Sequence, residues 1–137
     1  MSLIHCQPIE LPQIPDARGN LTVIEGDKIP FQIRRVYYLS DVPDGTKRGG
    51  HAHKALHQFI FASSGAFDIH LDDGHEKRTV HLHRNNLGLY VCPMIWREID
   101  NFSPGAVCMV LASDHYLESD YYRDYSDFLA TVRSDLK

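Results

Sequence analysis

Long hydrophobic runs are missing from these 137 residues. Nowhere do apolar side chains continue for the roughly 18 positions that a membrane-spanning helix needs, which excludes that class. An excess of basic charge is missing too: 14 Lys+Arg stand against 18 Asp+Glu, a formal charge of -4. That balance argues against a general nucleic-acid footprint or a basic membrane patch. Cysteine is scarce and unpatterned. Cys6, Cys92 and Cys108 are odd in number and form no CxxC, so reduced core thiols are expected in place of a disulfide framework or a zinc knuckle. No internal repeat, low-complexity segment or long linker divides the chain, and residues 1–137 are expected to form one domain. Met1-Ser2-Leu3-Ile4-His5 lacks the charged-then-apolar order of a secretion signal, so a cytoplasmic protein is expected.

What is present is a series of short apolar bursts separated by turn residues. Leu21-Thr22-Val23-Ile24 precedes Glu25-Gly26-Asp27, the run from Ile33 to Leu39 precedes Asp41-Val42-Pro43-Asp44-Gly45, and Gln58 to Ala62 precedes Ser63-Ser64-Gly65. Similar bursts run from Leu87 to Cys92, Trp96 to Ile99 and Ala106 to Ala112. Their length, with β-branched and aromatic enrichment, predicts many short strands and hence an all-β barrel or sandwich. Phe67 to Leu71 and Arg78 to Leu82, joined through Asp72-Asp73-Gly74-His75, predict a hairpin. Near the end, Ser126-Asp127 can cap a helix whose apolar positions Phe128, Leu129, Val132 and Leu136 fall at helical spacing, predicting a short C-terminal helix over 126–137. Residues 1–17 hold Pro8, Pro12 and Pro15 with little periodicity. Such an arm needs a surface to pack on, and a second subunit would serve.

The richest segment is Arg48-Gly49-Gly50-His51-Ala52-His53-Lys54, continuing through Gln58 to Gly65. Alternate strand residues share a face, so His51 and His53 project together. This spacing resembles the first cupin motif, with Gln58 where a metal-binding Glu is usual. Gly88, Pro93 and Asn101 echo the second motif, with Arg97 at the usual metal-binding His position. A guanidinium has no lone pair to offer and stays protonated, so it repels a metal where a fourth ligand would bind. With no metal expected, both histidines are free for proton transfer near neutral pH. Arg34 and Arg35 are adjacent, so only one faces inward. Arg35 shares parity with Tyr37 and is the better candidate, and Arg48 can meet an anion at the barrel mouth. His5, His70, His75, His81 and His83 read as solvated residues, while His57 and His115 stay open.

Arg18-Gly19, Arg35-Val36-Tyr37-Tyr38, Arg48-Gly49-x-His51-x-His53-Lys54, Gly88-Leu89-Tyr90-Val91, Trp96-Arg97-Glu98, Val110-Leu111-Ala112-Ser113 and Asp120-Tyr121 together resemble the sugar-nucleotide 3,4-ketoisomerases across nearly the whole chain. The resemblance implies a jelly-roll cupin that acts on dTDP-4-keto-6-deoxyglucose without metal or redox cofactor, in making aminated sugars of bacterial surface polysaccharides. It implies a homodimer with exchanged N-terminal arms. It also implies His51 and His53 as the catalytic pair, with His51 favoured as the base at C3 and His53 relaying on the oxygens. Arg97 would stabilise an enediolate. Arg35 and Arg48 would hold the pyrophosphate, and Tyr37 or Tyr121 would bond the sugar or nucleotide, with Arg18, Gln58 and Trp96 completing the substrate-binding set. In this family, gluco-type members tend to carry Tyr at the Arg18 position and Arg at that of Arg97, whereas galacto-type members carry Arg and His. This chain has Arg at both. Competing readings are a dTDP-4-keto sugar epimerase, a metal-dependent cupin and a sugar-nucleotide-binding cupin without turnover.

Overall fold

Twelve strands, two short 3-10 turns and one α-helix are found in the computed structural model, which describes residues 2–134. The strands are β1 (Pro8–Glu10), β2 (Gln13–Ile14), β3 (Leu21–Thr22), β4 (Arg35–Leu39), β5 (Arg48–His53), β6 (Gln58–Ser64), β7 (Phe67–Asp72), β8 (Lys77–Leu82), β9 (Leu87–Val91), β10 (Trp96–Asp100), β11 (Val107–Ala112) and β12 (Tyr121–Tyr122). The helix is α1 (Tyr125–Ser134). Every described pairing is antiparallel. One five-stranded sheet has the order β1-β9-β6-β11-β4 and the other β12-β5-β10-β7-β8, with β2 and β3 as a separate hairpin. This is the jelly-roll cupin expected from the sequence.

Period-two patterning decides what each strand sends inward. In β7, Phe67, Ile69 and Leu71 are buried while Asp68 and His70 turn out. The main core lies between the sheets, where these side chains meet Ile60, Leu89, Val91, Ile99 and Val110. Both faces of β6 are covered: Ile60 and Ala62 enter that core, and Phe59 and Phe61 pack with Leu11, Ile29 and Leu111 on the outer face. Gly88 must stay small there, since a Cβ would stand 2.4 Å from the Phe59 ring.

The helix starts earlier than the sequence pattern suggests. Asp124, and not Ser126, caps it: the Asp127 N–H donates to Asp124 Oδ1 at 3.2 Å and the Phe128 N–H to the Asp124 carbonyl at 3.2 Å. Asp124 offers a carboxylate to the first free amides of the helix. Phe128 is buried against Ala52 and Trp96 on the outside of the second sheet. Leu136 and the end of the expected helix lie outside the described residues.

The arm also finds its own anchorage. Leu3, Cys6 and Leu11 are buried, and β1 extends the first sheet by pairing with β9 through Pro8↔Leu89, Ile9↔Gly88 and Glu10↔Leu87. Three prolines therefore did not prevent burial: Pro8 is the first residue of β1 and Pro12 follows it, at the sheet edge where a missing N–H costs least. The three cysteines are free and buried, with Cys6 Sγ 3.8 Å from Cys92 Sγ.

Candidate active site

A cavity of about 540 Å³ opens into the barrel between the two sheets. Its floor and walls follow from strand parity. Arg97 lies between Trp96 and Glu98 on β10 and points inward, where it is fully buried. Its cross-strand neighbour is His51. The register slips just beyond, because Glu98 pairs with Gly49 and leaves Gly50 as an extra residue. Gly49 and Gly50 have φ of 86° and 70°, and this bulge bends β5 as it delivers His51 to the cavity. A Cβ at Gly49 would stand 3.1 Å from the Arg97 carbonyl oxygen, so the bulge depends on glycine sterically as well as conformationally.

Arg97 is satisfied on two sides. Its Nε donates to the Ile95 carbonyl at 3.1 Å and its Nη1 to the Gln58 side-chain oxygen, while Nη2 is buried without a protein partner. The Gln58 amide then donates to the Tyr37 hydroxyl at 2.9 Å. Burial pulls the Arg97 pKa down and pushes that of Tyr37 up. Among the described residues no group of three or more His, Cys, Asp or Glu is arranged to hold a metal. At the position of a cupin's fourth ligand stands a cation whose nearest polar partner is an amide oxygen.

The two histidines are close but differ in access. Their rings lie 4.8 Å apart, edge to face, with Tyr121 at 5.0 Å from His51 and 4.3 Å from His53. His51 lines the main cavity. His53 is fully buried behind it and borders a smaller cavity of about 140 Å³. Desolvation, followed by the Arg97 charge, lowers His51 to about 3 and His53 to about 2. Both imidazoles are therefore neutral at physiological pH.

Of the remaining sequence candidates, Arg35, Tyr37, Arg48, Gln58 and Tyr121 all line the main cavity. Arg35 does face inward, with its guanidinium 5.2 Å from the Tyr37 ring centre, whereas exposed Arg34 reaches out to Gln32. Two candidates are elsewhere. Trp96 sits on the opposite side of β10 from Arg97, wedged against Tyr125 and Phe128 beneath α1. Strand alternation makes this unavoidable, because neighbours on β10 cannot share the cavity. Arg18 is in the β2–β3 loop, 90% exposed and tied to Asp16 at 2.9 Å, away from this chain's cavity.

Arg123 lines the cavity too, though sequence reasoning missed it. Its guanidinium stacks 4.1 Å over the Tyr121 ring and pairs with Glu118. Arg123 is two positions after Tyr121, so period-two parity was the available signal. Tyr116, exposed at the rim, was also missed, and its ring lies 5.9 Å from the Arg35 guanidinium. Three arginines thus line the cavity mouth and a fourth lies at its floor, leaving His51 between guanidinium side chains at the mouth and a buried positive charge.

Residues 4–133 match the family described as FdtA: WxcM-like, C-terminal. The chain is 46% identical over 121 residues to the TDP-4-oxo-6-deoxy-alpha-D-glucose-3,4-oxoisomerase of Aneurinibacillus thermoaerophilus, covering 88% of this chain and 87% of that one. It is similar to an Asn-for-His variant of the 3,4-ketoisomerase QdtA from Thermoanaerobacterium thermosaccharolyticum in complex with TDP-4-keto-6-deoxyglucose. That match has a TM-score of 0.94 and 38% identity and covers 97% of each chain. It is also similar to the WlaRB TDP-quinovose 3,4-ketoisomerase of Campylobacter jejuni, with a TM-score of 0.88, 43% identity, and coverage of 92% of this chain and 98% of that one.

Proposed function

This chain belongs to the FdtA, WxcM-like C-terminal family of sugar-nucleotide 3,4-ketoisomerases, and we propose that it moves the ketone of dTDP-4-keto-6-deoxyglucose from C4 to C3. The observation that carries this reading is the placement of neutral His51 on the cavity wall, beside Arg97 on the neighbouring strand and in the same cavity as Arg35, Arg48 and Arg123. Guanidiniums at the mouth offer paired donors to pyrophosphate oxygens. The sugar then extends toward the histidines.

The reaction balances on these groups alone. His51 takes the proton from C3, and the electron pair forms C3=C4 while charge moves to O4. Arg97 Nη2, which has no protein partner, is the donor for that developing charge. His53 accepts the O3 proton and passes it to O4. The C3–O3 carbonyl then forms as C4 takes the proton from His51, restoring both imidazoles. A 3-keto-6-deoxyhexose on the same nucleotide is the chemical entry to amination at C3, which fits a place in deoxyamino-sugar synthesis for surface polysaccharides such as O-antigen or S-layer glycans.

Two organisational readings go with it. The arm is short and lies at a sheet edge, which supports its exchange between the subunits of a homodimer; deletion of residues 1–17 would then yield monomers on a sizing column. Three free, buried thiols suit the reducing cytoplasm, and no helix among the described residues is long and apolar enough to cross a membrane. The function itself is tested by incubating the protein with dTDP-4-keto-6-deoxyglucose and following the sugar by NMR. Appearance of a 3-keto-6-deoxyhexose is expected. Epimerisation without carbonyl migration would favour the epimerase alternative, and binding without turnover would favour a sugar-nucleotide-binding protein.

A further inference from the structure

Asp120 ends the 3-10 turn Glu118–Asp120 that leads into β12, and three bonds tie it to the end of the histidine strand. Its carbonyl accepts the Lys54 N–H at 2.8 Å, and its Oδ1 accepts the Ala55 N–H at 2.8 Å. Its Oδ2 lies 3.1 Å from His53 Nδ1. An ionised carboxylate only accepts hydrogen bonds, so the proton of the neutral His53 ring belongs on Nδ1 and the lone pair on Nε2. That Nε2 is buried and has no hydrogen-bond partner in the protein. A buried acceptor left open is costly unless a ligand completes it.

We infer that Asp120 is a positioning residue for the isomerisation: it fixes His53 as the Nδ1–H tautomer and so presents Nε2 to the substrate as a proton acceptor. The role assigned to Nε2 rests on the ketoisomerase reading, whereas the tautomer is a property of the resting protein. In the oxygen-to-oxygen transfer, Nε2 takes the O3 proton, the ring becomes an imidazolium beside the Asp120 carboxylate, and the same proton leaves for O4. The opposite tautomer would meet O3–H with an N–H and could not begin this step.

Asp120→Asn tests the assignment because the Ala55 N–H selects the amide oxygen. The NH2 group then faces His53 Nδ1, which must become the acceptor, and the ring proton moves to Nε2. Spectra of protein labelled with 15N-histidine should show protonated Nδ1 at His53 in the wild type and protonated Nε2 in Asp120→Asn. The kcat should fall by roughly 10²-fold or more. KM and the affinity for TDP should stay within about twofold, since a tautomer change leaves ground-state binding in place. Protonated Nε2 in the wild type would overturn the inference, and that spectrum decides the matter alone if the variant does not fold. So would a variant kcat within about threefold of wild type, or a loss of TDP affinity parallel to the loss of kcat. Failure of wild-type protein to turn over dTDP-4-keto-6-deoxyglucose would strike the ketoisomerase reading and leave the NMR result standing by itself.

Discussion

Arg97 donates through Nη1 to the side-chain oxygen of Gln58 inside the barrel, and Gln58 donates onward to the Tyr37 hydroxyl at 2.9 Å. The pair occupies the ground on which a metal-binding cupin would place a carboxylate and an imidazole. An amide oxygen engaged by a guanidinium is a poor ligand, and the guanidinium is none. Turnover is therefore expected to survive exhaustive chelation. Loss of activity in EDTA, restored by a divalent ion, would contradict this.

The same pair carries a stability prediction. Gln58→Leu removes an acceptor from a fully buried cation and the donor to Tyr37, so urea unfolding should show a loss of about 3 kcal/mol. Gln58→Glu keeps an acceptor and should lose less. A change below about 1 kcal/mol in Gln58→Leu would mean that Arg97 has other means of satisfaction.

Acid should destabilise the fold earlier than carboxylates alone would. His51 and His53 are held at about 3 and about 2, first by burial and then by the Arg97 charge. In the unfolded chain they titrate near pH ~6.5. Between these values the unfolded state binds protons that the folded state refuses, so this contribution is complete above about pH 6.5 and is lost as pH falls toward 3. The slope should approach roughly 2.7 kcal/mol per pH unit for two histidines, and His51→Asn should reduce it by about half. Unfolding curves at pH 7, 6 and 5 measure it. A pH-independent difference between wild type and His51→Asn would contradict the prediction.

The configuration at C4 depends on what borders the sugar. Arg97 lies at the cavity floor, whereas Arg18 is exposed and bound to Asp16 within its own loop. Of the two positions that bear on product type, the one at this chain's cavity carries the gluco-type residue. Trapping the product with an aminotransferase should give large H4 coupling constants to both ring neighbours, and Arg97→His should raise the galacto fraction. Small couplings in the wild type would overturn the assignment.

Most of the barrel was legible because its strands are bounded by Pro, Gly and Asp turns and because β7 and β8 alternate cleanly. The site was legible where two site residues shared a strand face, as with His51 and His53 or Arg35 and Tyr37. Trp96 shows the limit of reading a motif as a block: motif membership drew it toward the substrate, while strand parity sends it to α1. Asp120 shows another limit. Its contact with His53 spans 67 positions and is created when β12 pairs with β5 through Tyr121↔His53, a register no local pattern announces. The anchorage of the arm was hidden for a similar reason, since burial of Leu3, Cys6 and Leu11 depends on an open edge at β9 and on side chains far along the chain.

Proton abstraction by His51 is the step on which the chemistry depends, and hydrogen exchange reads it directly. In D2O the wild-type protein should wash deuterium into the carbon positions of dTDP-4-keto-6-deoxyglucose as it isomerises. His51→Asn keeps a polar side chain of similar reach but removes the base, so exchange at C3 should fall by roughly 10²-fold or more while TDP binding persists. Exchange at the wild-type rate in His51→Asn, with loss of exchange in His53→Asn instead, would move the base to the buried histidine and contradict the assignment.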